Sequence, residues 1–318
     1  MRAVVIADGT VSVQEVPDPA PGPGELLVRV EGAGLNAADL LQRAGLYPAP
    51  IGSPQDIPGM ELAGRVERLG PGATGWTPGD RVMAVVGGGA QAELAVVLGQ
   101  HALRVPVDVP LAAAGGFPEA FSTAHDALVT QGRLAAGERV LVTGAAGGVG
   151  TAAVQLAHAL GAVVVACTRE GRHEAAMRDL GADEVVAPEG VADAGPYDVV
   201  MELVGAASLS EVQHHLARFA RVVVIGVGGG VRVEVDLLGV MSRRWSLTGS
   251  TLRARSVEGK ALVAEGVRKD VLGLLEHGEL TVPVFATFAL DDVDAAYDAF
   301  AQPGKLGKLV LTPVPTSN

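Results

Sequence analysis

The chain has 318 residues, among them 43 glycines, 19 prolines and one cysteine, Cys167. That length points to two domains, and such a chain buries about three quarters of its unfolded surface, enough for a core without disulfides or metal. A single cysteine excludes a disulfide framework and cysteine-rich metal sites, 48% hydrophobic residues exclude a disordered chain, and a net charge of −12 makes nucleic acid and anionic membrane poor partners.

Apolar runs are broken before the roughly 18 residues a membrane-crossing helix needs. The N-terminus, M-R-A-V-V-I-A-D-G, meets Asp8 too soon to read as a signal peptide. A soluble cytoplasmic protein is the expectation.

The first third reads as β-rich. Short apolar runs at 3–6, 26–30, 61–66 and 81–86 alternate with turn clusters, P-A-P-G-P-G at 19–24, G-P-G at 70–72 and G-G-G at 87–89. Short strands with that punctuation predict a barrel-like domain. From Pro118 the pattern changes. A helix is predicted over 119–130, followed by strands at 140–143, 163–167, 185–186, 199–201, 222–225 and 246–249. Helices at 149–160, 174–180, around 207–217 and 257–276 alternate with them, which predicts right-handed βαβ units and a parallel sheet. After Pro283 comes strand 284–288, helix 293–300 and strand 308–311. Asp291 and Asp292 start that helix and are read as caps for its free amides. A catalytic acid–base pair is the sharper alternative for them.

The strongest motif is R-V-L-V-T-G-A-A-G-G-V-G-T-A-A-V-Q-L-A-H-A-L-G-A at 139–162. A β-branched strand runs into Gly144, Gly147, Gly148 and Gly150, with Val149 between the last two, and a helix follows at once. Glycines let the backbone turn and approach a pyrophosphate, and the helix N-terminus supplies free N–H donors. A tight structural turn is the plainer reading, and the flanking strands favour the dinucleotide. The second strand ends C-T-R-E-G-R, placing Thr168 and Arg169 where an NAD site carries an acidic residue, with Arg172 close behind. A hydroxyl and guanidinium groups suit a 2′-phosphate, so the cofactor predicted is NADPH. Glu170 is the counter-signal, and surface arginines are the alternative reading.

The order of a β-rich part, a Rossmann domain and a returning strand–helix–strand resembles the medium-chain dehydrogenase/reductase superfamily. Within it the chain is similar to the zinc-independent quinone oxidoreductases, the zeta-crystallin-like group. The matching segments are G-L-N-A-A-D-L-L-Q-R-A-G-L-Y-P at 34–48, P-G-M-E-L-A-G-R-V at 58–66, P-G-D-R-V at 78–82, P-E-A-F-S-T-A at 118–124, L-T-G-S-T-L-R-A-R at 247–255 and G-K-L-V-L at 307–311. Two of them, P-E-A-F-S-T-A and G-S-T-L-R-A-R, are similar to the tumour-suppressor-inducible quinone oxidoreductase branch. The resemblance implies an α/β chain, a Rossmann doubly wound parallel sheet (118–284) plus a GroES-like β-barrel substrate domain (1–117, completed by 285–318). It also implies a homodimer, built by pairing the open edge left by strand 246–249.

Zinc-dependent members of that superfamily bind catalytic zinc through a Cys in the first of these segments, the His of a G-H-E motif and a Cys before F-S-T. This chain has Asn36, Met60 and Glu119 there. An amide and a thioether are poor substitutes for thiolate and imidazole, so no metal is expected. His214 and His215 are adjacent and point apart on a helix, so they offer no substitute site. By the same resemblance Asn36 and Tyr47 line the substrate pocket as the catalytic candidates, Tyr47 donating a hydrogen bond or proton and Asn36 positioning it. Tyr47 as a half-buried loop aromatic is the alternative. Thr123 resembles the nicotinamide-ring contact, and Lys308 resembles a lysine near the cofactor. The family often has an Asn-Tyr pair after the third Rossmann strand. Here Ala187 and Pro188 stand instead, so NADPH recognition rests on Thr168, Arg169 and Arg172. Cys167 reads as a small buried hydrophobe.

Without a Lewis acid, reduction of ordinary aldehydes is difficult, whereas quinones and enones spread the developing charge over a π-system. The predicted activity is NADPH-dependent reduction of a small-molecule quinone. The alternatives are an enone or enoyl C=C reductase and an NADPH-binding structural or regulatory protein.

Overall fold

Residues 1–169 and 172–313 are described in a computed structural model. Glu170, the carboxylate weighed against NADPH, lies outside the described residues. The chain divides into two compact units, Met1–Glu119 with Leu252–Asn318, and Ala120–Thr251.

The first unit opens with an antiparallel hairpin, β1 (Arg2–Ala7) and β2 (Thr10–Glu15), turned at Asp8 and Gly9, both at positive φ. Then come β3 (Glu25–Gly34), helix α1 (Ala37–Arg43), β4 (Glu61–Leu69), β5 (Arg81–Val85), β6 (Leu94–Leu98), β7 (Leu103–Arg104) and the short helix α2 (Leu111–Ala114). Helix α3 (Pro118–His125), which belongs to the second unit from Ala120 on, continues as a π-helical turn, Asp126–Gln131.

The second unit alternates strand and helix. It contains β8 (Arg139–Thr143), α4 (Gly148–Ala159), β9 (Val163–Cys167), α5 (Glu174–Asp179), β10 (Glu184–Val186), β11 (Tyr197–Glu202), α6 (Ala206–Val212), β12 (Leu216–Val224), α7 (Leu237–Arg243) and β13 (Ser246–Gly249). All strand pairs are parallel, in the order β10-β9-β8-β11-β12-β13. In chain order this is 3-2-1-4-5-6, the Rossmann arrangement, and its switch point lies between β8 and β11. Valines and leucines from successive strands (Leu141, Val165, Val200, Val222) meet Tyr197 and Trp245 in one buried core. Here β12 starts six residues before the predicted strand. Arg218, Phe219 and Arg221 hide its alternation, and Phe219 sits at a φ of 65°.

The chain then returns to the first unit as α8 (Val257–Asp270), α9 (Leu272–Glu276), β14 (Val284–Ala289), α10 (Val293–Ala301) and β15 (Lys308–Thr312). Its main sheet runs β14-β15-β3-β4-β5-β7, with β6 also on β3. Buried Val4, Leu26, Val28, Leu62, Val82 and Tyr297 belong to its core. The Asp291–Asp292 reading changes here. Both residues lie in a 3-10 turn, Asp292 makes no side-chain cap, and Asp291 pairs with Arg2 at 3.1 Å. That salt bridge is exposed, so neither the cap nor the acid–base reading applies to Asp291.

Candidate active site

Three chain segments bring buried polar groups together in the first unit. The end of β3 leads into Asn36, the residue before α1; Glu61 heads β4; Lys308 heads β15. The Lys308 ammonium donates to Glu61 Oε1 at 2.6 Å, Asn36 Oδ1 at 2.8 Å and the Leu35 carbonyl at 2.9 Å. Asn36 Nδ2 donates to Glu61 Oε1 at 3.0 Å and to the Gly34 carbonyl at 3.2 Å. The other Glu61 oxygen accepts from the Glu119 backbone N–H at 2.9 Å. Glu61 is fully buried, and Lys308 and Asn36 nearly so. A Cβ on residue 34 would stand 2.4 Å from Glu61 Oε1, which is why the strand ends in glycine. The positions of Asn36, Met60 and Glu119 therefore converge around Glu61. Among the described residues no group of three His, Cys, Asp or Glu side chains is placed to hold a metal ion.

Asp39, in the first turn of α1, accepts from the Asn36 N–H at 2.8 Å and from the Gly59 N–H at 3.2 Å. Complete burial pushes its carboxyl up to about 6, against the opposing pull of these two donors, Lys308 and Arg253. Arg253 lies in the matching segment 247–255, where no role is expected of it. Its buried guanidinium donates to the Gly87 carbonyl at 2.9 Å, the Tyr47 carbonyl at 3.1 Å and Gln42 Oε1 on α1. It also lies 5.2 Å from the centroid of the Tyr47 ring. Tyr47 is half-buried, and burial raises its phenol above the usual range while Arg253 pulls the other way. The phenol is thus a neutral donor at neutral pH. A cavity of about 970 Å³ lies elsewhere in this unit, lined by Ile51, Ile57, Val86, His101 and Lys260, and neither Asn36 nor Tyr47 lines it.

The second unit holds the glycine motif. Gly144 turns the chain at a φ of 61° after β8, and Gly147 precedes α4. Beside Gly147 a Cβ would meet only the Gly144 carbonyl, at 3.5 Å, so the backbone there is open to a ligand. At Gly150 a Cβ would stand 2.6 Å from the Ala145 Cα, so glycine lets α4 pack against the turn. Gly148 and Val149 form the first turn of α4, whose leading N–H groups face no helical partner. Glu202 ends β11 at the switch point. Its Oε1 accepts from Thr143 Oγ1 at 2.8 Å, Val204 N–H at 2.7 Å and Gly205 N–H at 2.8 Å, while its buried Oε2 has no partner among the described residues. An open turn, free amides and an orphaned buried oxygen fit a dinucleotide.

Around the end of β9, Thr168 is buried and donates its hydroxyl to the Arg172 carbonyl at 2.9 Å. Its hydroxyl proton is thus already engaged, whereas Arg169 and Arg172 are exposed. Thr123 is a buried residue of α3 in the same unit. Cys167 is buried and free, and burial pushes its thiol up to about 11. His214 and His215 lie in a 3-10 turn rather than an α-helix, and His215 pairs with Glu211 at 2.8 Å.

Residues 22–129 match the alcohol dehydrogenase GroES-like domain, and residues 148–265 match the zinc-binding dehydrogenase model. The quinone oxidoreductase QR1 of Triphysaria versicolor is 31% identical over 316 residues, covering 94% of this chain and 93% of that protein. The chain belongs to the medium-chain dehydrogenase/reductase superfamily. As a medium-chain dehydrogenase/reductase it is an oxidoreductase with a nicotinamide-dinucleotide-binding fold. The structure of a thermostable alcohol dehydrogenase from Pyrobaculum aerophilum, 31% identical, superposes with a TM-score of 0.85 over 98% of this chain and 99% of that one. The polyketide synthase GfsB of Streptomyces halstedii is 34% identical over 301 residues, which is 92% of this medium-chain reductase but 5% of GfsB. Among the described residues no helix is long and apolar enough to cross a membrane.

Proposed function

We propose that this medium-chain reductase uses NADPH to reduce quinones and does so without zinc. The observation that carries the reading is the Lys308 ammonium, 2.8 Å from Asn36 Oδ1. Asn36 stands at a zinc-ligand position of the superfamily's metal enzymes, and its oxygen here faces a cation. A metal ion at that oxygen would meet Lys308 at close range, a repulsion a ligand site does not tolerate. Without a Lewis acid, acceptors that delocalise their own charge are the ones the site can serve. The name of the Triphysaria relative supports the quinone class.

Bound NADPH supplies the reducing equivalents. This chain's residues hold and orient it: the Gly144–Gly150 turn and the first turn of α4 cradle the pyrophosphate, Glu202 accepts from a ligand hydroxyl, and Arg169 and Arg172 take the 2′-phosphate. Tyr47, a neutral phenol at physiological pH, donates to the substrate oxygen that gains charge. Thr123 contributes to the nicotinamide subsite. A second reading, reduction of an enone or enoyl C=C bond, is favoured by the likeness to a segment of GfsB. We also propose a homodimer. The exposed β13 edge strand and Leu237, Leu238 and Met241 on α7, each 70% exposed or more, leave an apolar surface that a second copy would cover.

An NADPH-oxidation panel with ortho- and para-quinones, linear enones and an enoyl-CoA tests the activity. The proposal expects kcat/KM to be highest for quinones and at least about tenfold higher with NADPH than with NADH. Turnover of the enoyl substrates alone would replace it with the second reading.

A further inference from the structure

We propose that Lys308, together with Glu61, is a positioning residue that locks Asn36 so that its carboxamide presents an oxygen and no N–H. The count of donors carries this. An ammonium has three N–H bonds, and Lys308 directs them at Glu61 Oε1, Asn36 Oδ1 and the Leu35 carbonyl. A carboxamide nitrogen has two, and Asn36 spends them on Glu61 Oε1 and the Gly34 carbonyl. Each of the two Glu61 oxygens is engaged, Oε2 by the Glu119 N–H. The charges are buried together, which is tolerable only because the network is closed on itself.

Two consequences follow from the geometry. Lys308 has no N–H left for a cofactor phosphate or for the substrate, so its influence on the reaction passes through Asn36. Asn36 keeps one unoccupied lone pair on Oδ1 and no donor. It therefore recognises a hydroxyl or amide N–H, and cannot stabilise an oxyanion. In the quinone reading, on which only the turnover arm below rests, the hydrogen bond to the developing oxyanion is left to Tyr47.

The glycines around the network fit this role. Besides Gly34, Gly116 leaves room for the lysine stem: a Cβ there would stand 3.1 Å from Lys308 Cβ and Cγ. The site is built to hold the lysine in one place.

The chain has only two asparagines, Asn36 and Asn318, so asparagine-selective ¹⁵N labelling of the full chain gives two side-chain amide pairs, assigned with Asn318→Gln. The Asn36 pair is expected to exchange with D₂O at least about tenfold more slowly than a free amide, and Lys308→Met is expected to abolish that protection. NADPH affinity, read by fluorescence titration, stays within about twofold, while quinone kcat falls about ten- to a hundredfold. If Lys308→Met does not fold, the Glu61→Gln/Lys308→Met pair removes both buried charges together, and the same loss of Asn36 protection is expected. Free-amide exchange of Asn36 in the unmutated chain would overturn the proposal. So would unchanged exchange in Lys308→Met, above all if NADPH affinity drops tenfold and marks Lys308 as a cofactor contact. Absence of quinone turnover in the unmutated chain would instead remove the functional reading, and the exchange rates alone would then decide the role of Lys308.

Discussion

At the scale of single residues, two buried titratable groups give opposite lessons. Asp39 has its carboxyl pushed up to about 6 by burial, so the folded chain holds a proton that the unfolded chain releases near pH 4. By linkage, stability falls as pH rises through the window from about 4 to 6 and levels off above it. Carboxylates such as Glu67 and Glu138, held low by arginine partners, act with the opposite sign and at lower pH. Thermal melts of Asp39→Asn should therefore lose the decline between pH 4 and 6 seen in the parent; an unchanged profile would mean another group titrates there. Cys167, pushed up to about 11, is a thiol at neutral pH and should react with iodoacetamide far more slowly at pH 7.5 than a free cysteine. Modification within minutes would show that the strand end opens. Arg253 lies in the matching segment 247–255, but its burial and partners are not legible there. Its partners Gln42, Tyr47 and Gly87 lie from 166 to 211 positions away, and nothing local marks an arginine that will be buried.

At the scale of elements, legibility follows the range of the interactions. The strand–glycine turn–helix at 139–162 is a local unit, so its sequence states its geometry almost completely, and α4 starts one residue before the predicted helix. Thr168 stands at the end of β9 as expected, but its hydroxyl donates to the Arg172 carbonyl, a bond the motif does not encode. The Asn36–Glu61–Lys308 cluster spans 272 positions, and only the sheet order β15-β3-β4 assembles it. Strand β2 and helix α7 escape the apolar pattern because they are short and their polar or exposed residues blur its period, whereas the short β6 is apolar throughout and shows no alternation. The tightest local demand is at Gly150, where the clashing atoms are backbone and cannot move aside. Gly150→Ala should lower stability by about 1–3 kcal/mol and weaken NADPH binding, both measured in one thermal-shift titration. Unchanged melting and binding would mean that α4 does not need its close approach to the turn.

At the scale of the whole molecule, the sequence indicates a Rossmann sheet and a GroES-like unit, and the structure realises them as the parallel 3-2-1-4-5-6 order and the β3-centred sheet. The exposed apolar residues of α7 bear on assembly. Replacing Leu238 and Met241 by Asp should shift the protein from dimer to monomer in light scattering, with little change in NADPH affinity; a monomeric parent would contradict the proposed dimer. The proposed chemistry turns on one substitution: a pinned carboxamide stands in place of a metal ligand and leaves a reductase for charge-delocalising acceptors. Prolonged treatment with 1,10-phenanthroline, followed by NADPH–quinone turnover, tests that substitution. Full activity in the chelated enzyme, with no gain on adding zinc, is the expected result. Loss of quinone reduction on chelation, restored by stoichiometric zinc, would contradict it.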